Sequence, residues 1–258
     1  MPVYSHSRLG AFESCPRKYW YAYIGKPEIE RFDTVEAFLG SRVHETLEEL
    51  YKRLMGGQQM SQDDVLGWYD SEWDRQWHDG VRVVSKTMKV TDYREVGRES
   101  LTAYYRRYQP FDQDSTLKLE AQVFIDLDPA GKYRLQGYID RLAKRYDGTF
   151  EIHDYKTARS MPTQAEADSD RQLALYQIGV QATWPEARHV DLIWHYLRFD
   201  QEIVSRRTNE QLDAVRQQCI VTIDNIESRS QDEAGFPTCP SYLCNWCEYN
   251  TLCPATRD

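Results

Sequence analysis

Four cysteines at opposite ends of the chain constrain its fold more than any other feature. Cys15 lies in Ser14-Cys15-Pro16-Arg17-Lys18-Tyr19, and Cys244, Cys247 and Cys253 lie close to the far end. Two thiolates separated by two residues can turn onto one metal centre. A third a few residues on can cap it, and a distant fourth completes a four-cysteine site. Such a site would tie the two ends of the chain together. Cys239 precedes the triplet and competes as a ligand; Cys244 is favoured because it completes the two-residue spacing. Cys219 falls within a helical pattern and reads as a small buried hydrophobe.

Six cysteines in 258 residues are too few for a disulfide scaffold, and close pairs in a cytosolic protein point to metal. A chain that is 41% hydrophobic and 28% charged suits a globular protein rather than a disordered one. The absence of a membrane-spanning apolar run and of a charged-then-apolar leader predicts a cytoplasmic protein with no membrane partner. A net charge of −9 argues against a broad DNA-coating surface. It leaves room for a local basic groove, because acids clustered at a metal site lower the total. Some of the 18 tyrosines and 7 tryptophans could stack on bases, but most are expected in the core.

The apolar pattern changes along the chain. Helical spacing predicts a short helix over Ser7 to Glu13, broken at Cys15-Pro16, and longer ones over Thr34 to Met55, Ser61 to Trp77 and Tyr93 to Gln109. Alternation then predicts strands over Leu117 to Ile125, Tyr133 to Leu142 and Thr149 to Tyr155. A helix over Ala165 to Ala182, a strand over His189 to Phe199, a short partner at Glu202 to Arg206 and a helix over Asn209 to Ser228 follow. The expectation is an α/β fold: a helical N-terminal region (1–112), a mixed-sheet core flanked by helices (113–207), and a C-terminal helix with a cysteine-rich tail (208–258).

Within the strands, Asp140 lies in Gly137-Tyr138-Ile139-Asp140-Arg141-Leu142, and Asp154 and Lys156 lie in Ile152-His153-Asp154-Tyr155-Lys156-Thr157. Strand residues two apart share a face, so Asp154 and Lys156 project together while Tyr155 faces away. A neighbouring hairpin strand can bring Asp140 beside them. With an imidazole such as His44, two carboxylates suit Mg²⁺ or Mn²⁺. A cation beside a lysine is what phosphodiester hydrolysis needs, a water made nucleophilic near neutral pH and a neutralised phosphoryl charge.

These motifs, with Gly40-Ser41-Arg42-Val43-His44-Glu45 and Gln172-Leu173-Ala174-Leu175-Tyr176, resemble the PD-(D/E)XK nuclease superfamily in its RecB-like branch. The four cysteines resemble its iron–sulfur subgroup, which includes CRISPR-adaptation nucleases and the nuclease domains of helicase–nucleases. The resemblance implies a restriction-endonuclease-like core. It implies that His44, Asp140 and Asp154 hold a catalytic Mg²⁺ or Mn²⁺, with the Tyr155 carbonyl as a further ligand, and that Lys156 is the catalytic lysine. Gln172 and Tyr176 would orient Lys156 or contact DNA, and Glu120 would add an outer carboxylate. Cys15, Cys244, Cys247 and Cys253 would hold a 4Fe–4S cluster. The implied activity is a DNA exonuclease on single-stranded or frayed ends, in CRISPR spacer acquisition, an antiviral defence, or in DNA repair, beside integrase or helicase partners. No phosphate-binding Gly-x-x-x-x-Gly-Lys loop is present for a motor of its own.

Blander readings stand beside these. An Asp-x-Lys pair on a strand is commonly a solvated ion pair, and Gln172 and Tyr176 share a helix face that packing alone explains. Four thiolates also suit zinc, which would make the protein a zinc-stabilised binding module. A non-catalytic DNA-binding or scaffold subunit is the other alternative, opposed by the intact His44, Asp140, Asp154 and Lys156 set. His6, His78, His153, His189 and His195 are read as structural or exposed. The pairs Arg106-Arg107, Lys144-Arg145 and Arg206-Arg207 read as surface, whereas Arg17 and Lys18 read as DNA contacts held in place by Cys15.

Overall fold

The computed structural model describes residues 3–30 and 32–256. The chain forms two compact units, each discontinuous in sequence. The terminal unit combines Met1–Arg31, Phe124–Gly137 and Asn209–Asp258; the central unit combines Phe32–Val123 and Tyr138–Thr208.

The first elements are α1 (His6–Ser14) and α2 (Pro16–Trp20), followed by a π-turn over Tyr21–Gly25. The Ser5 hydroxyl caps α1 by accepting from the Arg8 amide. Pro16 does more than break the first helix. It starts the second, at the N1 position where a missing N–H costs nothing. Cys15 is left between them with an extended backbone.

Next come β1 (Asp33–Thr34), α3 (Val35–Met55), α4 (Gln62–Gln76), β2 (Val81–Arg82) and α5 (Val90–Tyr108). The helices expected from Thr34 and Ser61 start there, and the hydroxyl of each of these residues caps the helix that follows. The α5 helix begins one turn earlier than its apolar pattern, with the Asp92 carboxylate accepting from the Lys89 amide at 2.7 Å. These helices enclose an apolar core: Phe38, Leu39, Val43, Leu47 and Leu50 from α3, Tyr69 and Trp73 from α4, and Tyr93, Leu101 and Tyr104 from α5. Each such side chain contributes about 1.5–3 kcal/mol by burial.

The sheet follows: β3 (Asp114–Asp126), β4 (Arg134–Arg145), β5 (Phe150–Lys156), then α6 (Gln164–Ser169), α7 (Gln172–Thr183), β6 (Val190–Tyr196), β7 (Gln201–Ser205) and, in the terminal unit, α8 (Asn209–Glu227). Its strand order is β3-β4-β5-β6-β7. It is mixed: β5 pairs antiparallel with β4 and parallel with β6, and β6 pairs antiparallel with β7. Both central strands are buried along nearly their whole length, as strands covered on both faces must be. Helix α7 packs on β5 and β6, and the Tyr155 ring joins the α3–α5 core. This is a mixed α/β fold with a five-stranded sheet flanked by helices. Among the described residues, no helix is long and apolar enough to cross a membrane.

Two expected elements differ. The helix expected over 165–182 is two helices, because the Asp170 carboxylate accepts from the Gln172 amide at 2.7 Å and interrupts the helical ladder. The strand expected over 189–199 ends at Tyr196 in a 3₁₀ turn over Leu197–Phe199, which leads into β7.

Gly97 marks the tightest helix approach. A Cβ there would run into the Tyr69 hydroxyl and Leu39 Cδ1. Gly97→Ala is expected to destabilise the protein by about 1–3 kcal/mol through overpacking, read as a lowered midpoint in chemical denaturation.

Candidate active site

The β4–β5 ladder runs from Lys144 opposite Phe150 to Arg141 opposite His153. Two residues beyond His153 along β5, the Tyr155 N–H bonds to the Asp140 carboxylate, Oδ2 at 2.8 Å, in place of a strand carbonyl. The side chain of Asp140 thus replaces the ladder where it ends. From α3, His44 closes on the same point, with Nε2 2.7 Å from the Tyr155 carbonyl oxygen and Nδ1 3.4 Å from Asp140 Oδ2.

Asp154 and Lys156 share the face opposite the Tyr155 ring. Lys156 Nζ lies 2.7 Å from Asp154 Oδ2. The break before α7 places Gln172 in the first turn of that helix, beside this pair. The Gln172 carboxamide donates to Asp154 Oδ1 at 3.2 Å, accepts from Lys156 Nζ at 3.3 Å, and donates to the Tyr176 hydroxyl at 3.3 Å. The structure therefore gathers His44, Asp140, Asp154, Tyr155, Lys156, Gln172 and Tyr176 into one cluster within the central unit.

Glu120 joins them. Ligand atoms of His44, Glu120 and Asp140 all lie within 4.8 Å of one another. Its backbone is left-handed, with φ of 43°, which costs a non-glycine residue roughly 1–2 kcal/mol. Strand alternation carries no sign of this turn, so sequence gave only a loose hint of Glu120.

The cluster holds more negative charge than its lysine balances. Burial, opposed by Lys156 and reinforced by Asp140, pushes the Asp154 carboxyl above its usual range. Desolvation, with Asp140 adding to it, pushes Glu120 up to about 7. Burial works against the charge of Lys156, but Asp154 outweighs it and raises the Lys156 pKa. His44 Nε2 and the Tyr155 carbonyl are spaced as neighbouring ligands of a small hard cation are, roughly 3 Å apart at 2.1 Å bond lengths. The donor set of carboxylates, one imidazole and one carbonyl fits Mg²⁺ or Mn²⁺.

In the terminal unit, Cys15, Cys239, Cys244, Cys247 and Cys253 line a cavity of about 250 Å³. Cys244 Sγ accepts from the Ser241 amide at 3.3 Å. Burial pushes the Cys247 thiol up, with Cys15 and Cys253 adding to the shift and Lys18 opposing it. Tyr249 is buried, its ring 5.1 Å from that of Tyr21. Arg17 binds the tail: its Nε donates to the Phe236 carbonyl at 2.8 Å, its amide to Pro237 O at 3.1 Å, and its guanidinium pairs with Glu233. This corrects the reading of Arg17 as a DNA contact, since its donors are committed to the fold.

Cys219 is fully buried, as expected. Among the basic pairs, Arg107 is engaged by Asp200 and Arg206 by Asp191.

A five-stranded mixed sheet whose β4–β5 hairpin presents Asp140, Asp154 and Lys156 defines a class of phosphodiester-cleaving folds. The profile of the PD-(D/E)XK nuclease superfamily matches residues 3–254, and the chain belongs to that superfamily. No curated protein matches its sequence. Among solved structures, that of SSO0001 is similar at 15% identity, covering 65% of this chain and 79% of that one, with a TM-score of 0.32. A likeness that loose adds nothing to the family assignment.

An ionised Glu120 beside the ligands strengthens the attraction for a cation, and a protonated one does not. Mn²⁺ affinity should therefore climb as pH rises through about 7, where Glu120 loses its proton. Calorimetric titration from about pH 5.5 to 8 checks this; an affinity flat across that range would contradict it.

Proposed function

We propose that this nuclease is a metal-dependent DNA exonuclease that hydrolyses phosphodiester bonds at single-stranded or frayed ends. The observation that carries the reading is the meeting of His44, Asp140, Asp154 and Lys156 around the Tyr155 peptide. A bound Mg²⁺ or Mn²⁺ would supply an acidified water and offset phosphoryl charge. His44, Asp140, Asp154 and the Tyr155 carbonyl would hold it, with Glu120 beside them.

The remaining work falls to the chain's own groups. The Lys156 ammonium would offset the charge that grows on the phosphate oxygens. Gln172 holds Lys156 and Asp154 at once and so limits the swing of the lysine. Water's oxygen forms the new bond to phosphorus, the bond to the sugar oxygen breaks, and the proton from water ends on the departing oxygen or in solvent.

The cysteine cavity supports a 4Fe–4S cluster held by Cys15, Cys244, Cys247 and Cys253. Those four cysteines line one cavity, and the two-residue spacing of Cys244 and Cys247 with a further Cys253 and a distant Cys15 suits a cluster held by four thiolates. The amide donated to Cys244 Sγ favours Cys244 over the exposed Cys239 as a ligand, since such bonds stabilise ligating sulfur. The cluster's part is structural: it joins Cys15 to the tail. The biological setting we propose is trimming of DNA ends in CRISPR spacer acquisition or repair, with an integrase or helicase partner.

Lys156→Ala and Asp154→Ala should keep the fold and lose cleavage of end-labelled single-stranded DNA by at least about 100-fold, as expected when a charge-stabilising group is removed. Cleavage at the unmutated rate by either variant would remove the site assignment. Cys247→Ala, purified anaerobically, should lose the brown iron–sulfur absorbance and melt at lower temperature. A colourless unmutated protein containing zinc would overturn the cluster.

A further inference from the structure

The reverse face of β5 carries a chain of buried polar groups that packing alone does not require. Arg141 is 1% exposed, and His153 and His195 are each 3% exposed. Arg141 Nη2 lies 2.8 Å from His153 Nε2 (its Nδ1 is 3.2 Å away). His153 Nδ1 lies 2.8 Å from His195 Nε2. His195 Nδ1 lies 3.2 Å from the Tyr108 hydroxyl, which donates to Glu202 Oε2 at 2.6 Å.

One set of tautomers links this chain from end to end. A guanidinium has only donors, and its Nη2 lies within reach of both ring nitrogens of His153, whose Nε2 also stands 3.4 Å from Glu151 Oε2. In that set Nε2 of neutral His153 is the acceptor, and its Nδ1–H donates to His195 Nε2. His195 carries its own on Nδ1 and donates to Tyr108. Tyr108 spends its proton on the Glu202 carboxylate, an acceptor. One tautomer of each imidazole satisfies every link.

Asp114, Glu151 and His153 bring ligand atoms within 4.8 Å of one another in this region. Arg141 Nη1 already bonds Asp114 at 2.7 Å, so the guanidinium is the cation there and a metal ion is not needed.

The chain meets the active site at Tyr155. Arg141 Nε donates to the Tyr155 hydroxyl at 3.2 Å, and that hydroxyl lies 3.2 Å from Tyr104 OH. On the other side, the N–H and C=O flanking the same residue bond Asp140 and His44. A shift of the Tyr155 side chain therefore moves two backbone atoms of the metal site.

We propose that His153 and His195 are positioning residues that act through Arg141 and Tyr155 to hold the Tyr155 peptide at the distance the cation ligands need. This rests on the active-site reading above. Histidine suits the task because it accepts from a buried guanidinium on one side and donates on the other without adding a second buried charge. Leucine at position 153 would leave Arg141 Nη2 without this partner.

The test compares Mn²⁺ affinity, by electron paramagnetic resonance titration of the full chain, for the unmutated protein, Asp154→Asn, His153→Leu and His153→Gln. Asp154→Asn reports on the active-site reading alone. His153→Leu should bind Mn²⁺ at least about tenfold more weakly, the usual effect of losing an outer support. It should also lower kcat with KM for DNA unchanged. His153→Gln, whose amide can accept and donate as the imidazole does, should restore affinity to within about threefold.

Should His153→Leu fail to fold, His195→Phe is read in the same way, because it keeps a ring and removes both nitrogens. Unchanged Mn²⁺ affinity in the folded variant, with Asp154→Asn impaired, would overturn the positioning role and leave the active site standing. Unchanged affinity in Asp154→Asn would overturn the active-site reading and the positioning role with it.

Discussion

The bond from the Tyr155 amide to the Asp140 carboxylate is the interaction on which the active site depends. Two antiparallel strands ordinarily bond backbone to backbone. Here the β4–β5 pairing reaches Arg141 and His153, and the Tyr155 amide two residues further along β5 bonds a side chain instead. Substituting a carboxylate for a carbonyl brings a charge to the end of the ladder. It leaves the Tyr155 carbonyl facing His44. The hairpin is thus both scaffold and ligand, so the geometry of the site is tied to the register of the sheet.

That arrangement has an electrostatic cost which the protein meets in two places. On the site face, Asp154 and Glu120 are held above their ordinary pKa values by burial and by Asp140. Lys156 offsets part of this charge, and a divalent cation is the natural complement to the rest. On the reverse face, Arg141 is buried among Tyr51, Tyr155 and two neutral histidines, with Asp114 as its counter-charge. Burying a guanidinium is costly unless its donors are satisfied. Here all three of its nitrogens have partners. The adjacent residues Asp140 and Arg141 therefore serve opposite faces of one strand.

Much of this was legible in the sequence because strand and helix periods are local properties. Alternation put Asp154 and Lys156 on one face and Tyr155 on the other, and the structure has them so. Thr34 and Ser61 announced two helix starts. Glu120 was barely visible, because a left-handed residue inside a strand leaves no trace in an alternating pattern. The break at Asp170 was hidden because its cap lies within an apolar pattern that reads as continuous. Arg17 read as a DNA contact because its partners, Phe236 and Glu233, are more than two hundred residues away.

By itself the sequence determined the order of elements, the apolar faces and the residue types able to hold metal, all set by neighbours along the chain. Only the tertiary structure decided that the β4–β5 ladder yields to Asp140, that Gln172 opens a helix beside Lys156, and that His153 and His195 join a buried polar chain behind Tyr155. Those features join residues far apart in the chain. A hydrogen bond requires its donor and acceptor within about 3 Å, a condition that sequence spacing cannot impose across the distance from Arg141 to His195.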